Sequence, residues 1–355
     1  MCRTGAAFPR SATCPDGGSL GAFVELRHDC SEPSHPCRIS STVCHVPSGR
    51  AVHEIVAPHL SYLRNAERHQ ILGPPADHEP TARCYRLAVG LVVDVPEVLP
   101  YSTGAAAAEL ARTEEVWRRV AAGDAPPTVR WYGYTAPGVV LGVSQNRSVV
   151  DEATCRARGV EVVWRASGGA AVWVDETAVA LDVALPAAHP LAGPDVVEAY
   201  RWLGALLAAA LREIAPAAAP RVVEVDPAAA RTDQHASQAA APQTAGALRR
   251  LSCFGTFSPH EVALVCPGGR RKLVGLSQLR KRGVVLFQAG LYTRFSGARL
   301  AAVLALPPEL QAALAAELDR RAAGLVDLGL RPGDVPCLVE AFSRRAKVRL
   351  APPGE

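Results

Sequence analysis

The chain has 355 residues, of which 49% are hydrophobic and 20% charged, a composition typical of a globular protein with one large domain or two modest ones. The net charge of +4 is mild and argues against a dedicated nucleic-acid-binding protein. No apolar run reaches about 18–20 residues, which predicts no membrane span, and the N-terminus lacks a charged and then apolar signal pattern, which favours the cytoplasm.

The first 85 residues mix Pro, Ser, His and Cys and have weak hydrophobic periodicity. We therefore expect residues 1–85 to be either a disordered tail or sequence upstream of the native start, and both alternatives stay open. Six of the ten cysteines lie in this segment, but none of them has CxxC spacing. This argues against a zinc site, and we expect no bound metal.

Regular structure is predicted from residue 86 onward, beginning with a strand-like apolar run over 86–95. A helix follows, because apolar residues recur at helical spacing until Gly123 ends the pattern. The face of this helix consists of Ala106, Leu110, Thr113, Trp117 and Val120. Strands are then predicted over 128–134, 139–143, 160–165, 171–174 and 178–185.

The second half of the chain mixes helical and strand patterns. Asp195 and Glu198 form a capping box at the start of a helix predicted over 195–214. Residues 226–249 are rich in Ala, Pro, Gln and Thr, which predicts a flexible loop. Further strands are predicted over 261–266, 272–276 and 283–295. After residue 296 the pattern is helical, with Leu310, Leu314 and Leu318 four residues apart and Gly324 at the end.

These elements do not alternate as βαβ units throughout. The fold class predicted from them is α+β, a mixed and largely antiparallel sheet with packed helices.

The segment Arg165-Ala166-Ser167-Gly168-Gly169 lies between two predicted strands and has more glycine than a tight turn needs. Two glycines let backbone approach a ligand closely. The N–H groups of such a loop can form a nest that holds an anion, with Arg165 adding charge. A structural hairpin without a ligand would have the same sequence. Neither a Walker loop nor a dinucleotide fingerprint is present.

A second candidate site lies in residues 253–290. The turn at Gly268-Gly269 places Lys272 on the following strand, in an apolar context that can direct its ammonium into a cleft. A strand-edge lysine facing water is the alternative. Cys253 is either a nucleophile or a buried cysteine beside a phenylalanine. The cluster 280–282 (Arg-Lys-Arg) is most simply solvated turn charge.

Together, three motifs resemble the biotin/lipoate protein ligase and octanoyltransferase family over roughly residues 100–300. They are LGVSQN (141–146), RASGGAAVWVD (165–175) and RKLVGLSQLRKRGVVLFQAG (271–290). The resemblance implies a biotin/lipoate ligase-like catalytic domain over 86–296, followed by a helical C-terminal tail over 297–355. It also implies that the glycine loop and the lysine strand face one ligand tunnel. The substrate-binding residues it implies are Arg165, Ser167, Gly168, Gly169, Gly275 and Gln278.

Cys253, followed by the Ser-Pro-x-Glu pattern of residues 258–261, resembles the cysteine-bearing octanoyltransferase branch of this family. That branch implies catalysis by Cys253 and Lys272. Octanoyl would pass from acyl carrier protein to Cys253 as a thioester and then to a lysine of a lipoyl domain, with no ATP. Lys272 would polarise the acyl carbonyl. The basic cluster 280–282 would steer the acidic partner proteins.

Two other functions stay open. The first is a lipoate–protein ligase that uses ATP and free lipoate, with Cys253 structural. The family's ligases usually have a third glycine, a His-Asp pair and a later His-Gly pair, where this chain has Ala170, Val174-Asp175 and Ala289-Gly290. These differences argue against adenylation. The second is a non-catalytic member that binds an acyl group or partner. A biotin-dependent repressor is disfavoured, because no helix-turn-helix is legible in residues 1–85.

Overall fold

The computed structural model describes residues 96–351 and, nearer the N-terminus, two strands, β1 (Phe23–Asp29) and β2 (Arg38–Cys44). The two strands pair with each other antiparallel. The weak hydrophobic periodicity of this region did not predict these strands. The strand predicted over 86–95 lies outside the described residues. Most of residues 1–85 also lies outside them, so the prediction for that segment stays a prediction.

The chain divides into two compact units, residues 1–93 and 94–355. The larger, second unit contains ten strands and eight helices within residues 96–351. The strands are β3 (Glu97–Gly104), β4 (Thr128–Tyr134), β5 (Gly138–Leu141), β6 (Glu161–Trp164), β7 (Val172–Val174), β8 (Ala178–Pro186), β9 (Val222–Glu224), β10 (Val262–Cys266), β11 (Gly269–Lys281) and β12 (Val284–Tyr292). The helices are α1 (Ala106–Ala122), α2 (Glu152–Ala157), α3 (Arg201–Ile214), α4 (Pro227–Ala239), α5 (Ala245–Leu248), α6 (Gly297–Ala301), α7 (Pro308–Arg321) and α8 (Val335–Leu350).

A seven-stranded sheet forms the centre of this unit, in the order β3-β4-β8-β12-β11-β10-β9. Only β3 and β4 pair parallel, and every other neighbouring pair in this sheet is antiparallel. The predicted α+β class with a mixed, largely antiparallel sheet is therefore confirmed. Strands β4 and β8 are buried along almost their whole length, because other elements cover both faces of the sheet.

A second sheet has three strands in the order β6-β5-β7. Strand β5 pairs parallel with β6 and antiparallel with β7, so β6 and β7 lie on opposite sides of β5. The glycine segment 165–171 joins β6 to β7 and must therefore pass the end of β5. It is a crossover loop, and the hairpin interpretation of this segment is wrong.

A predicted helix is confirmed where the sequence has both an amphipathic face and a residue that ends the helix. Helix α1 ends before Gly123, whose backbone is left-handed with φ +78°. The helix predicted over 195–214 is α-helical only from Arg201. Its first residues form a turn and a short 3-10 helix. There Asp195 Oδ1 accepts from the backbone nitrogens of Val197 at 2.7 Å and Glu198 at 2.9 Å.

The prediction of a flexible loop over 226–249 is wrong, because this segment forms α4 and α5. Asp226 caps α4 by accepting from Ala229 N at 2.8 Å, and Pro227 occupies the first turn, where a missing N–H costs nothing. The alanines between them favour a helix strongly enough to outweigh the polar composition. Helix α7 also differs slightly from its prediction, since it ends at Arg321 rather than at Gly324.

Helices α3 and α8 pack over the central sheet and form the largest core with it. Phe342 of α8 contacts Trp131 of β4 edge to face, with ring centroids 5.3 Å apart. The helical segment after residue 296 is therefore packed into the same compact unit as the sheet. Within the described residues, no helix has both the length and the apolar character needed to cross a bilayer.

Candidate active site

An apolar cleft lies between the two sheets. Together with the open solvent at its mouth it encloses about 600 Å³ of space. Most of its wall is hydrocarbon, from Leu110, Val140, Val172, Val174, Phe254 and Leu276. Small residues, Ala180, Gly275 and Gly290, leave the space open on the side of the central sheet. Tyr132 and Tyr134 also line it, and burial raises the pKa of both phenols, which keeps them neutral.

Cys253 lies at the wall of this cleft and is half-buried. Its backbone nitrogen donates to Ala171 O at 3.0 Å, and the preceding Ser252 forms an isolated bridge with Ala171. The chain segment that carries the cysteine is thereby attached to the end of the glycine loop. Two segments far apart in sequence meet at one end of the cleft.

The side chain of Arg165 lies between the glycine loop and the cysteine and is only 7% exposed. Its Nη2 donates to Gly168 O at 2.9 Å and Ala170 O at 3.0 Å, and Nη1 donates to Val140 O at 3.2 Å. Nη2 also lies 3.4 Å from Cys253 Sγ, so its two hydrogens are shared among three acceptors, of which the sulfur is the most distant. The guanidinium therefore organises the loop from inside and faces the sulfur, rather than adding charge to an outward nest.

The glycines of the first two motifs allow backbone to pack on backbone. A side chain at Gly142 would overlap the carbonyl oxygen of Gly169, and Val143 N donates to Ser167 O at 3.1 Å. Gly169 has φ +105°, a conformation that glycine adopts without strain. A Cβ on Gly169 would lie 2.6 Å from Arg165 Nη2 and 3.0 Å from Cys253 Sγ. Glycine is thus required here so that the guanidinium can reach the sulfur.

Ser167 connects the glycine loop to the opposite wall of the cleft. Its hydroxyl donates to Gln288 Oε1 at 2.7 Å and lies 3.3 Å from Ser277 Oγ. Gln288 in turn donates from Nε2 to Asp182 Oδ1 at 3.0 Å. Ser277 and Gln288 both line the cleft. The loop is therefore fixed to the central sheet by side-chain hydrogen bonds as well as by its own backbone.

A buried ionic network lies beneath this wall. Arg130, 3% exposed, pairs with Glu109 and with Asp182 Oδ2 at 3.2 Å, and Thr113 Oγ1 donates to the same carboxylate at 2.6 Å. Burial raises the pKa of Asp182, while the bonds from Thr113, Gln288 and Arg130 act in the opposite direction. The motifs did not reveal this network. The signal available was a charged residue in the middle of two apolar strands.

Lys272 is 2% exposed and directs its ammonium at the protein rather than into the cleft. Nζ lies 2.7 Å from each of three acceptors, Cys253 O, Thr256 O and Glu261 Oε2. An ammonium has three hydrogens, so all of its donors are engaged. Lys272 thus holds the backbone of the cysteine segment. Polarising an acyl carbonyl, the role that the resemblance implies, would require it to exchange one of these partners.

Glu261 completes the lysine site. Its carboxylate accepts from Ser258 N at 2.7 Å and Leu276 N at 3.0 Å as well as from Lys272. Burial raises the pKa of Glu261, and the positive charge of Lys272 opposes that shift. The Ser-Pro-x-Glu pattern of the sequence is therefore a turn closed by its own glutamate, which in turn fixes the lysine.

The remaining predicted residues fall in two groups. Gly275 lines the cleft, where an added Cβ would touch the ring of Phe254 at 3.7 Å. Gln278, in contrast, donates to Val196 O at 2.6 Å and so holds the segment before α3. Arg280 does the same through Gly193 O at 2.6 Å, so it is not the solvated turn residue that the sequence suggested.

The described residues include no group of side chains that could bind a metal ion. Among the residues that the structure describes, no three His, Cys, Asp or Glu side chains are grouped closely enough to hold an ion.

The fold and the cleft define a class of protein in which an apolar cleft lies between two sheets, beside a half-buried cysteine. The sequence places it more narrowly. Residues 105–346 match the family model described as the lipoyl protein ligase A/B catalytic domain, and the chain belongs to this family. The resemblance inferred from the three motifs is thereby confirmed.

Curated relatives include two proteins named octanoyltransferase LipM. That of Moorella thermoacetica is 32% identical over 238 residues, covering 65% of this chain and 79% of the relative. That of Kyrpidia tusciae is 32% identical over 256 residues, covering 70% of this chain and 86% of the relative. Both match most of the relative's length.

Solved structures agree on the fold. The bipartite lipoate protein ligase of Thermoplasma acidophilum, described with its E2 lipoyl domain, superposes with a TM-score of 0.54 at 18% identity, covering 73% of this chain and 84% of that one. A lipoate-protein ligase A bound with ATP gives a TM-score of 0.50 at 17% identity, covering 72% of this chain and 85% of that one. The expected ligase-like fold is confirmed.

Proposed function

We propose that this protein is an octanoyltransferase of protein lipoylation that carries the octanoyl group on Cys253. The observation that carries the proposal is the position of Cys253, whose half-buried sulfur lies at the wall of the apolar cleft beside Arg165. A cysteine that served only packing would have no need of a cationic donor. The names of the relatives support the same reaction.

The first step transfers the acyl group to the protein. The thiolate of Cys253 attacks the thioester carbonyl of octanoyl–acyl carrier protein, and a new carbon–sulfur bond forms. The bond to the carrier's sulfur then breaks. The carrier leaves as a thiolate and takes a proton from water.

The second step transfers the acyl group to the acceptor. A lysine amine of a lipoyl domain attacks the thioester on Cys253, and a carbon–nitrogen bond forms. The carbon–sulfur bond breaks and returns Cys253 as a thiolate, while the nitrogen gives a proton to solvent. Both steps exchange one acyl bond for another, so ATP is not needed.

The cleft fits the acyl chain by its chemistry. Its wall is largely hydrocarbon, which favours eight carbons of an octanoyl group through the hydrophobic effect. One wall of the cleft consists of the small residues Gly275, Ala289 and Gly290, which leave room for the acyl chain. Lys272 contributes by holding Cys253 O, which keeps the backbone of the cysteine at the wall of the cleft.

The partners we propose are an acyl carrier protein as donor and a lipoyl domain as acceptor. Lys281, the last residue of β11, and Arg282, in the turn that follows it, are exposed, and their charge would steer acidic partners. Arg280 drops out of this role because its guanidinium is bound to backbone carbonyls.

The test is a transfer assay with octanoyl–acyl carrier protein and a lipoyl domain, without ATP. We expect octanoylation of the acceptor by the wild-type chain and by Cys266→Ser, a matched change at another half-buried cysteine on β10. Cys253→Ser should abolish it. Full transfer by Cys253→Ser would refute the proposed role of the cysteine.

The same assay separates the alternatives. Modification of the acceptor that requires ATP and free lipoate, with release of pyrophosphate, would establish a ligase. Binding of octanoyl–acyl carrier protein without acylation of this chain or of the lipoyl domain would establish a non-catalytic member.

A further inference from the structure

Four lysine and arginine side chains are buried within residues 96–351, and they differ in what balances their charge. They are Arg130, Arg165, Arg249 and Lys272. Three of them lie within 4.0 Å of a carboxylate. In the part of the chain that the structure describes, Arg165 has no carboxylate at that distance, and its acceptors are three backbone carbonyls and one sulfur.

Such an arrangement is costly unless negative charge is present at some stage. Removing a guanidinium from water has a large free-energy cost, and carbonyl dipoles offset only part of it. The neutral acceptors of Arg165 are backbone carbonyls, two in the glycine loop and one, Val140 O, on β5. The sulfur of Cys253 is the one acceptor that can become an anion.

We propose that Arg165 is a catalytic residue that balances the negative charge on the sulfur of Cys253. This inference rests on the proposed function. The sulfur carries negative charge twice in that reaction, as the attacking thiolate and as the leaving group. An N–H of a guanidinium donating to a thiolate is a charge-assisted hydrogen bond, stronger than one to a thiol.

Two neighbouring features agree with this assignment. Lys272, the other cation near the cysteine, has all three ammonium hydrogens bound to oxygen atoms and donates to the cysteine backbone, not to its sulfur. Gly169 leaves the space that the guanidinium needs, since a Cβ there would lie 2.6 Å from Nη2. The position of the Arg165 guanidinium beside the sulfur therefore depends on glycine at position 169.

The experiment measures alkylation of the full chain without any acyl donor, resolved by peptide mass spectrometry. An uncompensated cation favours an anionic reagent, so we expect the rate ratio of iodoacetate to iodoacetamide at Cys253 to exceed that of 2-mercaptoethanol. The exposed Cys337 serves as an internal reference. Equal ratios at Cys253 and in the small thiol would overturn the proposal without any mutation.

A variant then tests the residue itself. In Arg165→Gln we expect alkylation of Cys253 to slow about tenfold relative to Cys337, and the preference for iodoacetate to disappear. Arg165→Lys should retain part of both effects, and Arg147→Gln, which removes an exposed charge that follows the LGVSQN motif, should change neither. An unchanged rate in folded Arg165→Gln would overturn the assignment.

The result is independent of the transfer assay. If Cys253 proves reactive and dependent on Arg165 but never accepts octanoyl, the proposed function fails and the pairing stands. If octanoyl is accepted at the same rate in Arg165→Gln, the pairing fails and the proposed function stands.

Discussion

Two buried arginines near the cleft have nearly the same exposure and very different surroundings. Arg130 lies between the carboxylates of Glu109 and Asp182 and stacks over the ring of Tyr132, with 4.0 Å to the ring centroid. Arg165 contacts backbone carbonyls and a sulfur. The neutralised cation, Arg130, builds the wall of the site, whereas we propose that Arg165, which lacks a counter-charge, balances negative charge that develops on the sulfur.

The largest effect should come from breaking the neutralised group. Arg130→Gln leaves the buried carboxylate of Asp182 without a cation and leaves Glu109 paired only with the partly exposed Arg112, and we expect it to lower the free energy of unfolding by about 3–5 kcal/mol. Arg165→Gln strands no charge and should cost clearly less. Urea denaturation of both variants measures the difference, and equal losses would break the comparison.

Lys272 provides the next test, because it neutralises a single carboxylate. Lys272→Met leaves Glu261 unpaired in the interior and should cost about 3 kcal/mol or somewhat more. Adding Glu261→Gln removes that orphaned charge, so we expect the double variant to unfold at higher urea than Lys272→Met alone. A double variant with additive losses would show that the two side chains do not act as a pair.

Gln288→Leu should have a smaller effect on stability and a visible one on activity. It removes the acceptor of Ser167 Oγ and the donor to Asp182, which should cost about 1–3 kcal/mol. Because the glycine loop loses its tie to the sheet, the transfer rate should fall by more than the loss of folded protein explains. The matched control is Gln311→Leu on α7. This variant loses one hydrogen bond, to Leu304 O, and should keep the transfer rate of the wild-type chain.

Gly290→Ala should have the smallest effect on stability. A Cβ at this position meets nothing within 4 Å, so the free energy of unfolding should change by about 0.5 kcal/mol or less. The methyl group enters the cleft, however, and we expect transfer of octanoyl to fall relative to hexanoyl. Gly142→Ala is the contrast, since its methyl would overlap the backbone of Gly169 and destabilise the loop.

Much of this site could be predicted from the sequence, because local pattern carries it. The glycine loop, Cys253 and the lysine strand all lie in sequence motifs, and the strands beside them have clear apolar runs. Helix α4 is an exception, because its composition predicts a loop, whereas Asp226 and Pro227 give it a capped start.

The contacts that set the roles of these residues could not be predicted in the same way. Arg165 and Cys253 are 88 positions apart, and only the packing of the small sheet brings them together. Whether Lys272 faces the cleft or the cysteine backbone depends on Glu261, which lies just before β10, the strand that pairs with β11. Composition and motif spacing do not predict these contacts, because the contacts depend on which buried polar groups become hydrogen-bond partners in the folded chain.

The most direct test of the account is to isolate the acylated protein itself. Wild-type chain is mixed with octanoyl–acyl carrier protein, quenched in acid and mapped by peptide mass spectrometry, and a lipoyl domain is added to a parallel sample before the quench. We predict one octanoyl thioester, on the peptide that contains Cys253, which disappears at the rate at which the lipoyl domain is modified. A lipoyl domain that becomes octanoylated while Cys253 never carries the group would contradict the account.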